Sequence, residues 1–286
     1  MRFGVIFPQT EFGNEPAAIR DYAVAAEELG YEHIVAFDHV LGADRNRPGG
    51  WNGPYDKDTP FHEPFVLFGF MAAVTGRIEL ATGVLILPQR QTALVAKQAA
   101  ELDVLSGGRL RLGVGTGWNA VEYQALGEDF HNRGRRQEEQ VEVLRLLWEH
   151  DVVDYAGRRH RIDRAGINPR PTRRIPVWFG GRDERMMRRA ARLGDGWILN
   201  RPPDDATREA VARIRAFITE AGRDPAAFGI EAFVPYAAGP EKWGDHIERW
   251  QDAGATHLTL NTMGANLGSP RDHIEAIRRY REALPA

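Results

Sequence analysis

The chain has 286 residues, 43% of them hydrophobic, and a formal net charge of −3. This length is close to the ~250 residues of one barrel of alternating strands and helices. Cysteine is absent, which excludes disulfides, zinc–thiolate sites and a thiol nucleophile. The charge gives no reason to expect a nucleic acid or an anionic membrane as partner. The longest apolar runs fall well short of the ~20 residues that span a membrane, so we expect a soluble, cytoplasmic protein.

Eight short apolar runs predict the strands. Most are continuous rather than alternating, which is typical of parallel strands that are covered on both faces. The predicted strands are residues 3–8, 33–37, 78–85, 110–115, 176–179, 196–199, 230–234 and 257–260.

Helical patterns separate these strands. The first follows Asn14, a good N-cap, and stops at Gly30, while the last follows Ser269-Pro270. The predicted helices are residues 16–29, 63–74, 92–105, 135–149, 182–193, 207–221, 243–253 and 271–284. Strand followed by helix, eight times, predicts an α/β fold: a single (β/α)8 barrel, or TIM barrel, as one domain over residues 1–286. An open, doubly wound sheet with the same strand count is the alternative.

Two long segments interrupt the alternation. Residues 39–62 follow the second strand and contain Trp51 and Tyr55, and residues 152–174 precede the fifth strand, with a hairpin turn predicted at residues 155–158. Long irregular segments of a compact domain are often lids or binding loops, or else they only cover the barrel surface.

Polar and glycine-rich residues stand where the predicted strands end. In a barrel of this kind the C-terminal ends of the strands form the active site. Asp38 and His39 end the second strand, and Thr82-Gly83-Val84 lies where the third strand reaches the mouth. A glycine inside a strand marks a bulge or a close approach of a ligand to the backbone.

Two further glycine-rich stretches indicate a ligand with a flat ring or a phosphate. In residues 110–119 glycines alternate up to Trp118, but their spacing does not match the GxGxxG dinucleotide motif. In residues 175–182 a strand ends in Gly180-Gly181 and a helix is predicted to follow at once. Backbone N–H groups at a helix N-terminus bind phosphate well, although a tight turn explains these two glycines equally.

Other reaction classes find little support. The chain contains neither an HxH nor an HExxH pattern, and we therefore expect no metal site. It also lacks the GxSxG elbow of serine hydrolases. His150, His160 and His246 are interpreted as surface histidines.

Taken in order, these strand ends resemble the luciferase-like monooxygenase family along essentially the whole chain. The matching stretches are FGVIFPQ (3–9), AEELGYEHIVAFDHV (26–40), IELATGVLILP (78–88), AKQAAELDVLSGGRLRLGVGTGWNAVEYQALG (96–127) and PVWFGGRDERMMRRAARLGDGWIL (176–199).

The resemblance implies a TIM barrel that binds coenzyme F420, a deazaflavin, or FMN at the C-terminal face and catalyses redox chemistry on a small-molecule substrate. The Asp38-His39 pair and the TGV bulge are most similar to the F420-using branch, in which a cis peptide often joins the residues that match Gly83 and Val84. The candidate cofactor-binding residues are Asp38, His39, Thr82, Gly83, Val84, Gly115, Thr116, Gly117, Gly180 and Gly181.

The same resemblance assigns the other roles. His39 is the candidate catalytic residue, as proton donor or acceptor, and Phe7, Trp51 and Trp118 are candidate walls of the substrate pocket. Sugar dehydrogenases of the F420 branch carry a glutamate where this chain has Trp118, which argues against glucose 6-phosphate as substrate. The family also implies a homodimer and a reductase that supplies reduced cofactor. The alternatives are an FMN-dependent monooxygenase, a cofactor-binding protein without turnover and a metal-dependent hydrolase.

Overall fold

The computed structural model describes residues 1–284, and its main feature is the predicted closed barrel of eight parallel strands with helices between them. In chain order the strands are β1 (Arg2–Ile6), β2 (His33–Ala36), β3 (Glu79–Thr82), β4 (Leu85–Ile86), β5 (Leu110–Gly115), β6 (Val153–Ala156), β7 (Arg161–Ala165), β8 (Val177–Gly180), β9 (Gly196–Leu199), β10 (Gly229–Pro235) and β11 (His257–Asn261). Because β1 pairs with both β2 and β11, and β3 pairs with β5, the sheet closes on itself. The β3 and β4 strands together form one of the eight.

The helices occupy the predicted positions, with ends that shift by up to three residues. They are α1 (Pro16–Glu28), α2 (Pro64–Val74), α3 (Thr92–Leu105), α4 (Ala120–Ala125), α5 (Arg133–Glu149), α6 (Glu184–Leu193), α7 (Asp205–Glu220), α8 (Pro240–Asp252) and α9 (Pro270–Ala283). The short helix α4 was not predicted. Ser269 caps α9 as expected, but the N-cap of α1 is Glu15, not Asn14, and it makes no side-chain cap.

Alternation along each strand decides which side chains face the barrel interior. Ile6, Val35 and Ala81 pack together in a small cluster inside the barrel. Their neighbours Val5 and Ile34 belong to the large core between the strands and the helices. All barrel strands run parallel, so their C-terminal ends meet at one mouth.

The two predicted insertions differ in structure. Residues 39–62 contain no helix or strand and follow β2 at the mouth. In the second insertion β6 and β7 form an antiparallel hairpin, closed by the N–H of Gly157 donating to the carbonyl of His160 (2.9 Å). His160 is not the surface histidine that was predicted: its ring is mostly buried and lies 3.0 Å from Glu139 and 2.6 Å from the hydroxyl of Thr92.

No helix within residues 1–284 is long and apolar enough to cross a lipid bilayer. The same residues contain no group of three or more His, Cys, Asp or Glu side chains arranged to hold a metal ion.

Candidate active site

The third strand of the barrel is interrupted at the mouth. β3 ends at Thr82 and β4 begins at Leu85, and the Gly83–Val84 peptide between them is cis, as the family resemblance predicted. The N–H of Gly83 donates to the carbonyl of Ala36 at the end of β2 (2.8 Å). The break therefore stays attached to the neighbouring strand and places the half-buried Val84 at the mouth.

The side chain of Val84 lies over the ends of two other strands. A Cβ atom on Gly115 would come within 2.3 Å of its Cγ2, and one on Gly180 within 2.7 Å of its Cγ1. Contacts this short do not occur in real proteins. Glycine at the ends of β5 and β8 is thus required by the packing of Val84, whatever ligand approaches from above.

The next residues after β5 continue this packing. Gly117 has a φ of 66°, and a Cβ there would be 2.7 Å from Cγ2 of Ile86. The carbonyl of Thr116 accepts from the hydroxyl of Tyr123 (2.7 Å). Thr116 and Gly117 are half-buried at the mouth, so part of their surface remains accessible there.

Two predicted cofactor-binding side chains point elsewhere. The hydroxyl of Thr82 is buried and donates to the carbonyl of Gly113 (2.6 Å) inside the sheet. The carboxylate of Asp38 is buried, accepts from the N–H of Ile86 (2.8 Å) and pairs with Arg90 (2.7 Å). Both side chains hold the interrupted strand in place, and neither presents a free polar atom to the mouth.

The Asp38 carboxyl is a buried acid beside a buried cation. Burial raises the pKa of Asp38 above its ordinary value, and the guanidinium of Arg90 opposes that rise. Arg90 also donates to Glu63 (2.8 Å), which caps α2 by accepting from the N–H of Val66. This chain of ion pairs joins the end of β2 to β4 and to the start of α2.

Three aromatic rings lie around the side chain of His39. Its ring centroid is 4.7 Å from that of Phe61, 5.2 Å from that of Tyr55 and 5.5 Å from that of Trp118. We call these three residues the aromatic cage. Nδ1 of His39 is 3.2 Å from Oε1 of Glu122. The histidine also borders a cavity of about 130 Å³, together with Tyr55, Phe61 and Asn119.

Glu122 is a site residue that the sequence reasoning missed. It lies in α4, is 1% exposed, and accepts from the N–H groups of Val40 (2.8 Å) and Leu41 (3.3 Å) as well as from His39. The available signal was Asn119, whose side chain caps α4 three residues before Glu122. Asn-x-x-Glu is a spacing typical of a helix start, so the helix was predictable, although its contact with residues 39–41 was not.

The predicted pocket walls divide into two groups. The rings of Trp51 and Trp118 stack at 5.8 Å, and Trp118 is 43% exposed at the mouth. Phe7 is fully buried between β1 and α1, where its ring packs against Phe12 and Tyr22. Phe7 therefore belongs to the core and not to the mouth, because it shares the outward face of β1 with Val5.

The end of β8 differs from the phosphate site that was predicted there. Helix α6 begins at Glu184, not directly after Gly181, and Asp183 caps it by accepting from the N–H of Met186 (2.8 Å). A carboxylate thus already satisfies this helix N-terminus. Gly181 is exposed here, although its carbonyl accepts from the indole N–H of Trp197 (2.9 Å), and the guanidinium of Arg201 donates to the carbonyl of Arg182 (2.9 Å).

These features fit a flat cofactor with an anionic side chain. Residues 83–84 and 116–117 are half-buried at the mouth, and the guanidinium of Arg201 lies close to the exposed Gly181 through its bond to the carbonyl of Arg182. Oε1 of Gln9, in the segment that follows β1, is buried and accepts no hydrogen bond within residues 1–284. A ligand N–H at the mouth is one group that would satisfy it.

Two relatives of similar sequence are a monooxygenase and an F420-dependent dehydrogenase. A pyrimidine monooxygenase, RutA, of Allorhizobium ampelinum is 36% identical over 241 residues, which is 79% of this chain and 65% of that protein. An F420-dependent glucose-6-phosphate dehydrogenase of Segniliparus rotundus is 29% identical over 237 residues, 80% of this chain and 67% of that protein.

Solved structures share the fold at low sequence identity. An F420-dependent secondary alcohol dehydrogenase has a TM-score of 0.79 and 19% identity over 100% of this chain and 99% of its own. A riboflavin lyase with a modified FMN has a TM-score of 0.82 and 17% identity over 100% of this chain and 92% of its own. The sequence model of the luciferase-like monooxygenase family matches residues 1–253. The chain therefore belongs to the luciferase-like monooxygenase family.

Proposed function

We propose that this protein is an F420-dependent oxidoreductase that transfers a hydride to or from a small organic substrate in the cytoplasm. The observation on which the proposal rests is the bulge at Gly83-Val84 between β3 and β4, which places Val84 at the mouth against Gly115 and Gly180. It lies beside the segment that presents His39, because Asp38 accepts from the N–H of Ile86 just after the bulge. The F420-dependent relative and the F420-dependent structural neighbour support the same cofactor.

The residues at and around Gly83 and Val84 would bind the cofactor. Gly83 and Val84 would support one face of its ring, and Thr116 and Gly117 would flank its side chain. Gly181 and the nearby guanidinium groups would receive its phosphate, with Gly115 and Gly180 acting through the position of Val84. When bound, the cofactor supplies the hydride-transfer chemistry, and the protein supplies position and electrostatics.

His39 and the aromatic residues near it would act on the substrate. His39 borders the cavity and is mostly buried, and an imidazole there can hold or release the proton that accompanies a hydride. The stacked Trp51 and Trp118 rings and the aromatic cage would form apolar walls for the substrate. The cavity that His39 borders also has polar groups, from Asp56, Lys57 and Thr59. Because Trp118 fills part of the mouth, we do not expect sugar phosphates to be good substrates.

The second candidate is an FMN-dependent monooxygenase on the same barrel. The pyrimidine monooxygenase relative and the riboflavin lyase neighbour favour it. Such an enzyme consumes oxygen and needs a partner reductase as a source of reduced flavin.

Titration of tryptophan fluorescence with F420 and, separately, with FMN tests the proposal. Trp118 is the tryptophan nearest to His39 and is 43% exposed, so we expect F420 to quench it at micromolar concentration. Trp118→Phe should lose most of that quenching, whereas Trp250→Phe, which removes a buried tryptophan of α8, should keep it. Preference for FMN would favour the monooxygenase. Binding of neither cofactor would overturn the proposal, and F420 binding without turnover over a broad substrate panel would indicate a storage protein.

A further inference from the structure

The carboxylate of Glu122 is buried, and among the described residues it forms no ion pair with a lysine or an arginine. Within residues 1–284 no lysine or arginine lies within 4.0 Å of it, and His39 is its one titratable partner. A buried carboxylate is tolerated only where hydrogen bonds replace its water. Here the replacements are two backbone N–H groups, of Val40 and Leu41, and Nδ1 of His39.

We infer that Glu122 is a positioning residue that fixes the orientation and the tautomer of His39; this inference rests on the proposed role of His39. A carboxylate only accepts hydrogen bonds, so the nitrogen facing it must carry the hydrogen. Nδ1 of His39 is 3.2 Å from Oε1 and 3.3 Å from Oε2 of Glu122. In the neutral ring this leaves Nε2 without hydrogen, as the atom that meets the substrate.

The other groups around the ring do not replace the hydrogen bond between Nδ1 and Glu122. The aromatic cage restricts where the ring lies, and within residues 1–284 Nδ1 makes its hydrogen bonds with Glu122 alone. Nε2 of His39 makes no hydrogen bond within residues 1–284, and the residue borders the cavity of about 130 Å³. One carboxylate thus determines which ring nitrogen is free for chemistry.

The same carboxylate oxygen holds the backbone that carries the histidine. Oε1 accepts from the N–H of Val40 and of Leu41, the first residues of the insertion after His39. Since α4 follows β5 and the insertion follows β2, this contact joins segments that follow two strands of the barrel separated only by β3. A purely structural anchor would make these two bonds and leave the chemistry of His39 unchanged, and the test must separate the two roles.

Nitrogen-15 NMR of the protein labelled at its histidines reads the tautomer directly. His39→Gln identifies the His39 signals by their loss. At a pH where the ring is neutral we expect the wild type to carry its hydrogen on Nδ1, and Glu122→Ala to lose this preference. Glu128→Gln is the matched control, because it neutralises a carboxylate just beyond α4 that pairs with Arg136 and not with His39. A wild-type ring with its hydrogen on Nε2 would refute the inference without any variant.

A double-mutant cycle tests the consequence for catalysis. We expect His39→Gln to lower kcat by on the order of 10²-fold, and Glu122→Ala and Glu122→Gln to lower it less. The double variant should be no slower than His39→Gln alone, because Glu122 acts through the ring. Cofactor affinity should stay within about threefold of wild type. Multiplicative losses would mean that Glu122 acts independently of His39 and would overturn the inference.

The two experiments separate this inference from the proposed function. The NMR measurement uses neither cofactor nor substrate, so it stands even if FMN, and not F420, proves to be the cofactor. Conversely, an unchanged tautomer in Glu122→Ala together with micromolar F420 binding would leave the proposed function intact and remove only the role of Glu122.

Discussion

At each glycine of the mouth, one neighbouring side chain occupies the space that a Cβ atom would need. Val84 contacts the ends of both β5 and β8, and the space it occupies is the space that a Cβ on Gly115 or Gly180 would need. In the sequence these glycines only indicated that a ring or a phosphate comes near the backbone. The structure shows that they first allow the cis bulge to sit against two neighbouring strands.

This packing predicts the effect of one methyl group. Gly115→Ala should displace Val84, lower the free energy of unfolding by about 1–3 kcal/mol, and weaken cofactor binding at least tenfold. Urea unfolding and fluorescence titration measure the two effects. Gly244→Ala is the matched control: Gly244 lies in α8 with open space around its Cα, so alanine there should raise stability by about 0.5–1 kcal/mol. Equal behaviour of the two variants would contradict the packing argument.

Residue identity and strand position were enough to predict which residues of the candidate site lie at the mouth. His39, Gly83 and Trp118 stand at strand ends, where any barrel places its functional groups. Glu122 was not predictable in this way, because its contact with His39 joins residues 83 positions apart. Phe7 was assigned to the mouth by its position at a strand end, yet strict alternation from Val5 already places it on the outward face.

At the scale of elements, helix α2 is unusual for the outer layer of a barrel. Its sequence PFVLFGFMAAV contains no polar side chain, although a surface helix normally has a polar face. Val66 is 72% exposed and Phe70 40% exposed. Leu94 and Leu105 are exposed on α3, which packs beside α2. These four residues, which we call the α2–α3 face, form an apolar surface that a partner would cover.

We propose that a second copy of the chain covers the α2–α3 face. In a twofold dimer the same surface meets itself, and the solvent-accessible charges of α3 are already neutralised by the ion pair of Lys97 with Glu101. Phe70→Glu should convert the dimer to monomer at micromolar concentration, as measured by analytical ultracentrifugation. Val152→Glu changes an equally exposed apolar residue outside α2 and α3 and should leave the dimer intact. A monomeric wild type, or a dimeric Phe70→Glu, would contradict the proposal.

The elements themselves were largely predictable, for physical reasons that also explain the errors. Continuous apolar runs predicted every barrel strand, but the third was predicted as one strand over residues 78–85, because nothing in an apolar run shows that a cis peptide divides it. Helix α4 has only six residues, too few to show a helical period, so its one signal in the sequence was the Asn119 cap. Helix α6 starts two residues late because Asp183, not Gly181, provides the cap.

At the scale of the whole molecule, the end of the barrel opposite the mouth is closed by a buried charged network. Arg111 donates to Glu231 and to Glu79, each at 2.6 Å, and Glu231 also contacts His33 at 2.9 Å. Burial by itself raises the pKa of Glu231, but the guanidinium of Arg111 and the hydrogen bond with His33 hold it well below its ordinary value. This carboxylate therefore stabilises the fold above about pH 4.5 and loses that contribution only as the pH falls below it.

His257 of β11 lies beside this network and titrates in the opposite sense. Burial, together with the positive charges of Arg111 and Arg2, lowers the pKa of His257 to about 3, while Glu231 opposes the shift. Its ordinary pKa is 6.5, so between pH 6.5 and pH 3 the unfolded chain binds a proton that the folded chain does not. Stability must therefore fall as the pH decreases through this range.

The size of this effect follows from the difference between the two pKa values. At pH 5 one neutral buried histidine of this kind costs about 2 kcal/mol relative to pH 7. We expect urea unfolding to show that loss in the wild type and a clearly smaller loss in His257→Gln, which has no titrating group at this position. Since Glu231 loses its contribution only below about pH 4.5, it does not affect the comparison. An equal loss of stability in both proteins between pH 7 and pH 5 would mean that His257 is protonated as readily in the folded barrel as in the unfolded chain.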